Sequence, residues 1–421
     1  MLAARFKVVG VLLGVALVAG VVVAFTAPAA PERVVAHTPC GPVRAGNQPA
    51  ATLQVVGTHM QDSRGNRFLP YGVSVVSGPS TVNWPRSEKA VAAQIIASHR
   101  YWHANSVRIQ VSEQQLFANR TPGRSYNTRF AASVDRLVCL TLKQGQIPII
   151  NDATHFTAAE QHGPSRRTIR FWEFISERYG NRLPVIFDLY NEPKLSRDPR
   201  TSKLVDPNLT WRVWQHGGAM GGGNYVGMQA VVDAIRVKKR VDNVLWVEEP
   251  YYLFPRERRT DLLPKHLLRG SNIVYAFHKS TLERNSVSWR MIREVARKGI
   301  PLVDGEWSQF AATDRPWECL DGSYETAPGY LAFLRQFPIG LIAWSLQPGV
   351  LVQGIAGQDT VHDGNDWRYT HDPARLKTPN DIRPGYGCDA ASRGQGVGGL
   401  VQDYFARYSK SAPKSLFPKL G

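Results

Sequence analysis

Val185-Ile186-Phe187-Asp188-Leu189-Tyr190-Asn191-Glu192-Pro193 is an apolar run that stops abruptly. A strand over 184–190 delivers Asn191 and Glu192 to its C-terminal end and breaks off at Pro193, which cannot donate to a ladder. Seven more runs of this kind lie around it, at 71–76, 106–111, 147–151, 243–248, 272–277, 300–304 and 339–344. Helical patterns fall between them, at 87–99, 129–144, 166–179, 225–240, 286–298 and 326–336. Strands alternating with helices imply crossover units and a parallel sheet. Eight strands predict closure into a single (β/α)8 TIM barrel, and no GxGxxG follows the first strand to favour a doubly wound dinucleotide fold. In a barrel, the C-terminal strand ends and the loops after them build the site. Two stretches without a clear period, 191–224 and 347–398, follow strands and are expected as long loops on that face.

Ahead of the barrel pattern, Arg5 and Lys7 precede an uncharged apolar run over 8–25, then Thr26-Ala27-Pro28-Ala29-Ala30 supplies small residues where a signal is cut. The run is long for a signal core and long enough to span a bilayer. Residues 1–29 therefore read as a cleaved signal peptide or an uncleaved membrane anchor. Either predicts export, with the protein secreted or tethered to the outer face of the cytoplasmic membrane. Residues 30–50 read as a linker, and 51–421 as one barrel domain opening with a short hairpin, in which 53–56 and 68–71 flank Asp62-Ser63-Arg64-Gly65-Asn66. In an oxidising compartment the four cysteines allow three pairings. Cys319–Cys388 with Cys40–Cys139 is favoured because each bridge ties an irregular segment to a neighbouring element; the alternative is free buried thiols.

Composition narrows the class. The 421 residues carry 51 Lys+Arg against 34 Asp+Glu, a net charge of +17, with 43% hydrophobic and 20% charged residues. That balance excludes a disordered, collagen-like or multi-pass membrane chain, and no CxxC pair suggests a zinc finger or thiol redox motif. The basic residues are dispersed, apart from Arg236-Val237-Lys238-Lys239-Arg240 and Arg256-Glu257-Arg258-Arg259. Such a field favours anionic cell-surface polymers, and no motif for reading nucleic acid accompanies it. Without HExxH or a clustered His/Asp set, neither a metal nor a cofactor is expected. The chain is expected to act as a monomer.

A second segment repeats the logic of the first. Ile300-Pro301-Leu302-Val303-Asp304-Gly305-Glu306-Trp307-Ser308 is an apolar strand that delivers Glu306 to its C-terminal end, after a glycine that admits a close neighbour. Two glutamates at corresponding strand ends, three strands apart, match what glycoside hydrolysis needs. One carboxyl protonates the leaving oxygen, and the other attacks or activates water.

The ordered motifs resemble the clan A glycoside hydrolases, most closely the cellulase-like glycoside hydrolase family 5. Asn191-Glu192-Pro193 resembles the end of that family's fourth strand and Gly305-Glu306-Trp307 its seventh. Tyr71-Gly72-Val73-Ser74, Val107-Arg108-Ile109, the run 273–278 ending in His278 and Gly340-Leu341-Ile342-Ala343-Trp344-Ser345 resemble the first, second, sixth and eighth. The likeness spans about residues 53–346. It implies a retaining β-glycosidase acting on a β-linked oligo- or polysaccharide, with Glu192 as acid/base and Glu306 as nucleophile. It further implies that Asn191 donates to the sugar 2-hydroxyl, Arg108 holds Glu306 ionised, His155 and His278 bind substrate, and Trp344 stacks on a sugar face. Glu248 and Glu249 are further candidates for substrate contacts. Two departures stand out: Thr154 occupies the family's third-strand His position with His155 one residue on, and Ser280 replaces a Tyr after the sixth strand. These motivate a carbohydrate-binding pseudoenzyme as the alternative, beside another clan A activity such as mannanase or transglycosylase.

Overall fold

Eight parallel strands close on themselves in the computed structural model, which describes residues 34–44, 53–76, 84–118, 125–153, 162–198, 201, 203–251, 259–278, 287–307, 323–348, 350–353, 370–380 and 397–417. Two antiparallel pieces come first: β1 (Val34–Thr38) with β2 (Gly41–Arg44), then a ribbon of β3 (Gln54–Val56), β4 (His59–Gln61) and β5 (Arg67–Phe68). The barrel begins with β6 (Tyr71–Val75), β7 (Ser106–Val111), β8 (Ile147–Asp152) and β9 (Ile186–Asp188). A side ribbon of β10 (Gly218–Met220) and β11 (Gly223–Tyr225) intervenes. The barrel then continues through β12 (Leu245–Glu248), β13 (Ile273–His278), β14 (Leu302–Trp307) and β15 (Gly340–Ala343), which pairs with β6. Around it lie α1 (Trp84–Trp102), α2 (Glu113–Phe117), α3 (Thr128–Lys143), α4 (Arg166–Tyr179), α5 (Pro207–His216), α6 (Gly227–Asp233), α7 (Val287–Arg297), α8 (Ser323–Gln336) and α9 (Gly398–Tyr408).

Register decides which side chains face inward. Ser74 pairs with Arg108, Arg108 with Ile149 and Ile149 with Ile186, and matched residues on parallel neighbours share a face. Along these inward rows Ile149, Ile186, Trp246, Val274, Val303 and Ile342 fill the barrel, and Leu53, Met60 and Phe68 of the N-terminal ribbon pack beneath them. The outward rows bury against the helices. Towards the C-terminal end the inward rows change character, from Ile186 to Asp188 and from Trp246 to Glu248. Burial is retained there while apolarity is lost, which converts the top layer of a packed core into a site.

Three local outcomes differ from the sequence expectation. The hairpin over 53–71 is a three-stranded ribbon, because Gly57 adopts φ +59° and adds a turn. The Asp62 carboxylate then closes the second turn, accepting from the Arg64 and Asn66 N–H groups at 2.9 and 2.8 Å. Within 191–224, read as a loop, lies α5, started by the Asp206 carboxylate accepting from the Leu209 N–H and by Pro207 in the first turn. Its glycine run folds as β10–β11, with Gly217 at φ +80° and the Tyr225 carbonyl where a Cβ would sit. Finally, the stretch read as a linker contains β1–β2, fastened to α3 by a Cys40–Cys139 disulfide with Cα atoms 5.3 Å apart.

Cys319, Cys388, Thr154, His155, Ser280 and the apolar run over 8–25 lie outside the described residues. Among the described residues, no helix is long and apolar enough to cross a membrane.

Candidate active site

Arg108 is the hub. It stands on β7 with no exposed surface, and a buried guanidinium requires a full set of acceptors. Nε donates to Asp188 Oδ2 at 2.7 Å, Nη1 to Glu306 Oε2 at 2.7 Å, and Nη2 to Asn191 Oδ1 at 2.6 Å and Glu248 Oε1 at 2.8 Å. One cation thus gathers the ends of β9, β12 and β14. The bond to Asn191 assigns its oxygen to the arginine side and turns its amide nitrogen away.

Glu192 follows β9 in a tight bend with φ +46°, a region that residues with a side chain seldom enter. Its N–H donates to Glu248 Oε2 at 2.6 Å, so a side chain from the next strand holds the bend. Its own carboxylate Oε1 lies 2.9 Å from His278 Nδ1. The other ring nitrogen, Nε2, is 3.0 Å from Glu248 Oε1, and Nδ1 is also 3.9 Å from Glu306 Oε2. His278 comes this near to β14 because Gly305 has no Cβ; one placed there would meet Nε2 at 3.3 Å. Glu192 and Glu306 keep 17% and 15% of their side-chain surface open, against none for Arg108 and 3% for Glu248. The two glutamates are therefore the reachable members of the cluster.

Burial dominates the electrostatics. It pushes the Glu306 carboxyl up to about 7, against the pull of His278 and Arg108, and pushes Asp188 up to about 7 against Arg108. Glu248 goes the other way: burial opposes its charge, but His278, Arg108 and the Glu192 N–H outweigh burial and hold it below the ordinary carboxylate range. Burial also opposes charge on His278, yet Glu248, Glu306 and the bond to Glu192 keep its imidazole protonated well above the usual pH. Glu192, His278 and Glu306 each offer a donor atom within 4.8 Å of the others, close enough to surround a cation. A guanidinium 2.7 Å from Glu306 opposes a metal ion there.

Of the residues named from sequence, Arg108, Asn191, Glu192, His278 and Glu306 converge. Trp344 follows β15, half-buried, its N–H donating to the Trp307 carbonyl at 2.8 Å; the peptide to Ser345 is cis. Glu249 lines the same small cavity as Glu192, Glu248 and His278, and the Thr260 hydroxyl donates to it at 2.6 Å. Sequence reasoning passed over Asp188 as a member of the network, and treated Glu248 only as a substrate contact. The signal was there: Arg108 and Asp188 are opposite charges inside apolar strands, and buried charges come in pairs. Asp304 was also missed; it accepts from the Tyr330 hydroxyl and, at 3.3 Å, from the Glu306 N–H, steadying the strand end that carries Glu306.

A closed parallel barrel with two partly open glutamates across its C-terminal mouth has the architecture of a barrel glycoside hydrolase. The family model for cellulase matches residues 62–349, and the chain belongs to glycosyl hydrolase family 5. It is 23% identical over 263 residues to endoglucanase Z of Dickeya dadantii (strain 3937), a match covering 62% of this chain and 52% of that one. The chain thus spans about half the length of this curated relative. Among solved structures, a β-mannanase of Streptomyces thermolilacinus in complex with mannohexaose aligns with TM-score 0.55 at 18% identity, covering 88% of this chain and 99% of that one. A thermostable, halotolerant family 5 cellulase from an Icelandic hot spring isolate aligns with TM-score 0.55 at 17% identity, covering 87% and 99%. At these identities the likeness is one of fold.

Proposed function

We propose that the protein is an exported retaining β-glycosidase that hydrolyses O-glycosyl bonds of a β-linked glycan, with Glu192 as acid/base and Glu306 as nucleophile. One observation carries the stereochemistry: a carboxylate oxygen of Glu192 lies within 4.8 Å of one of Glu306. Retaining pairs stand ~5–5.5 Å apart, whereas inverting pairs need ~6.5–9.5 Å to admit a water. In the first step a Glu306 oxygen attacks the anomeric carbon while Glu192 gives its proton to the departing glycosidic oxygen. The C–O bond breaks and a glycosyl ester remains. In the second step Glu192, now a carboxylate, takes a proton from water, the water oxygen attacks the same carbon, and Glu306 leaves as a carboxylate. Arg108 holds the nucleophile oriented, Asn191 turns its amide nitrogen towards the sugar 2-hydroxyl, and Trp344 offers an apolar ring to a sugar face. The names of the relatives point to β-glucans and β-mannans as the substrates to try first.

The test is a panel of β-glucans and mannans with product analysis, together with two variants. Glu306→Ala is expected to abolish turnover, and added azide to give a glycosyl azide of inverted configuration. Glu192→Ala is expected to lose ~10²–10⁴-fold on natural glycans, far less on substrates whose leaving group needs no proton, and to yield a retained azide product. Sugar binding without any turnover would overturn the proposal in favour of a lectin-like role.

A further inference from the structure

We infer that Glu248 is a positioning residue that fixes His278 as a permanent cation, whose support passes from Glu306 to Glu192 as negative charge moves between them during the reaction. The inference rests on the two-glutamate reading above. Glu248 is 3% exposed and lines the same small cavity as Glu192 and His278, and groups from β7, from β13 and from the bend after β9 meet on it. Oε1 faces both the Arg108 guanidinium at 2.8 Å and His278 Nε2 at 3.0 Å, and Oε2 accepts the Glu192 N–H at 2.6 Å.

The geometry around the imidazole sets its charge. Each ring nitrogen has a carboxylate oxygen beside it: Nδ1 is in hydrogen-bond contact with that of Glu192 at 2.9 Å, and Nε2 lies at ion-pair distance, 3.0 Å, from that of Glu248. A neutral ring has only one N–H and would present a lone pair to one of the two carboxylates. The groups facing the ring are Glu192 from the end of β9, Glu248 from β12 and Glu306 from β14. Arg108 on β7 and Asp188 on β9 stand behind them and form an ion pair with each other.

During the cycle Glu248 keeps its charge while the two reacting carboxyls exchange theirs. Before the first step Glu306 is the ionised member of the reacting pair and Glu192 holds the proton. In the glycosyl ester Glu306 is neutral, and Glu192 must be ionised to take the proton from water. Nδ1 is within reach of Glu192 and near Glu306, so a ring kept cationic from behind stabilises whichever carboxylate is charged, with no proton of its own transferred. The same carboxylate holds the strained bend of Glu192 through the N–H, so it also sets where the proton donor stands.

Two measurements decide the matter. The first needs no variant: imidazole 15N shifts of the labelled protein, with His278 assigned by its loss in His278→Asn, should show a doubly protonated ring from about pH 6 to about pH 8. A neutral ring at pH 7 overturns the inference, whether or not the protein hydrolyses any glycan. The second is the pH dependence of kcat/KM in Glu248→Gln and Glu248→Asp. On this inference loss of the His278 proton gives kcat/KM an alkaline limb, and Glu248→Gln should bring that limb down by about one pH unit, so that its loss relative to wild type is about tenfold greater above the limb than below it. Glu248→Asp should restore most of the limb. A uniform loss at every pH, or a Gln variant as active as the Asp variant, assigns Glu248 a merely structural role. Failure of the wild-type protein on every β-glycan removes the two-glutamate reading, while the ring titration still reports on the cation itself.

Discussion

At the residue scale, the decisive fact is the ratio of charges among the described residues. There Asp188, Glu192, Glu248 and Glu306 share one arginine and one histidine, so these six groups cannot all be ionised without net negative charge in a buried place. Burial accordingly pushes Glu306 up to about 7, near the usual range of histidine. The sign for activity follows directly. A nucleophile must be ionised, and a carboxyl raised to about 7 is mostly protonated at pH 5, so kcat/KM should climb with pH up to about 7 and fall about tenfold per unit below that limb. The limb belongs to the coupled cluster, since Asp188 titrates in the same range. A pH–rate profile on a soluble β-glycan checks this, and undiminished kcat/KM at pH 5 would contradict it. That Glu192, Glu306, Arg108, Asn191 and His278 gather in one cluster was readable because each sits in a short motif on or just after a barrel strand. The roles of Asp188 and Glu248 were not, because they depend on cross-barrel neighbours 80 and 140 residues away from Arg108. Periodicity along one strand says which way a side chain points, but nothing about what it meets.

At the element scale, the strands and crossover helices fell close to where apolar periodicity put them; 166–179, for instance, is α4 to the residue. What escaped notice was held by capping and turns. The Asp206–Pro207 start of α5 is a helix signal in plain view, but the polar sequence before it and the glycines after it outweighed it. The linker reading of 30–50 failed to anticipate β1–β2 because strands of five and four residues with mixed composition carry too little period to register. Its fastening is testable. The Cys40–Cys139 bridge closes a loop across a sequence separation of 99 and ties β1–β2 to α3. Cys40→Ser with Cys139→Ser should lower the unfolding free energy by about 2–4 kcal/mol. Turnover should be retained, because the bridge fastens that ribbon to α3, which carries no residue of the glutamate cluster. Equal urea midpoints for the bridged and unbridged proteins would refute the tie, and a matching fall in kcat would mean that the ribbon reaches the site.

At the scale of the whole molecule, charge is separated by location. Among the described residues, the strand ends at the barrel mouth carry the four carboxyls around Arg108 and His278, while the chain as a whole carries +17. The basic run at 236–240 contributes less to that exterior field than its sequence suggests, since Lys238 pairs with Glu173 and Lys239 with Glu177 on α4, and the Arg236 guanidinium donates to the backbone carbonyls of Val241 and Asn243. The attraction for anions is therefore a diffuse property of the exterior, and diffuse attraction between exposed charges is what salt screens: the Debye length shrinks from ~30 Å at 0.01 M to ~3 Å at 1 M. An exported protein with residues 1–29 removed loses Arg5 and Lys7 and still carries +15. It should be found outside the cytoplasmic membrane, held on an anionic surface at low ionic strength and released by salt. Cell fractionation followed by a salt wash tests both halves. Recovery of the full-length chain from cytosol would remove the export half, and retention that salt does not weaken would remove the electrostatic half. Turnover of a neutral β-glycan should behave differently. The site is organised by buried ion pairs at 2.7–2.8 Å, which added salt reaches poorly. The KM for such a glycan should therefore stay constant over the salt range that strips the protein from anionic polymers. A KM that rises in step with release would show that the exterior field, rather than the barrel mouth, recruits the substrate.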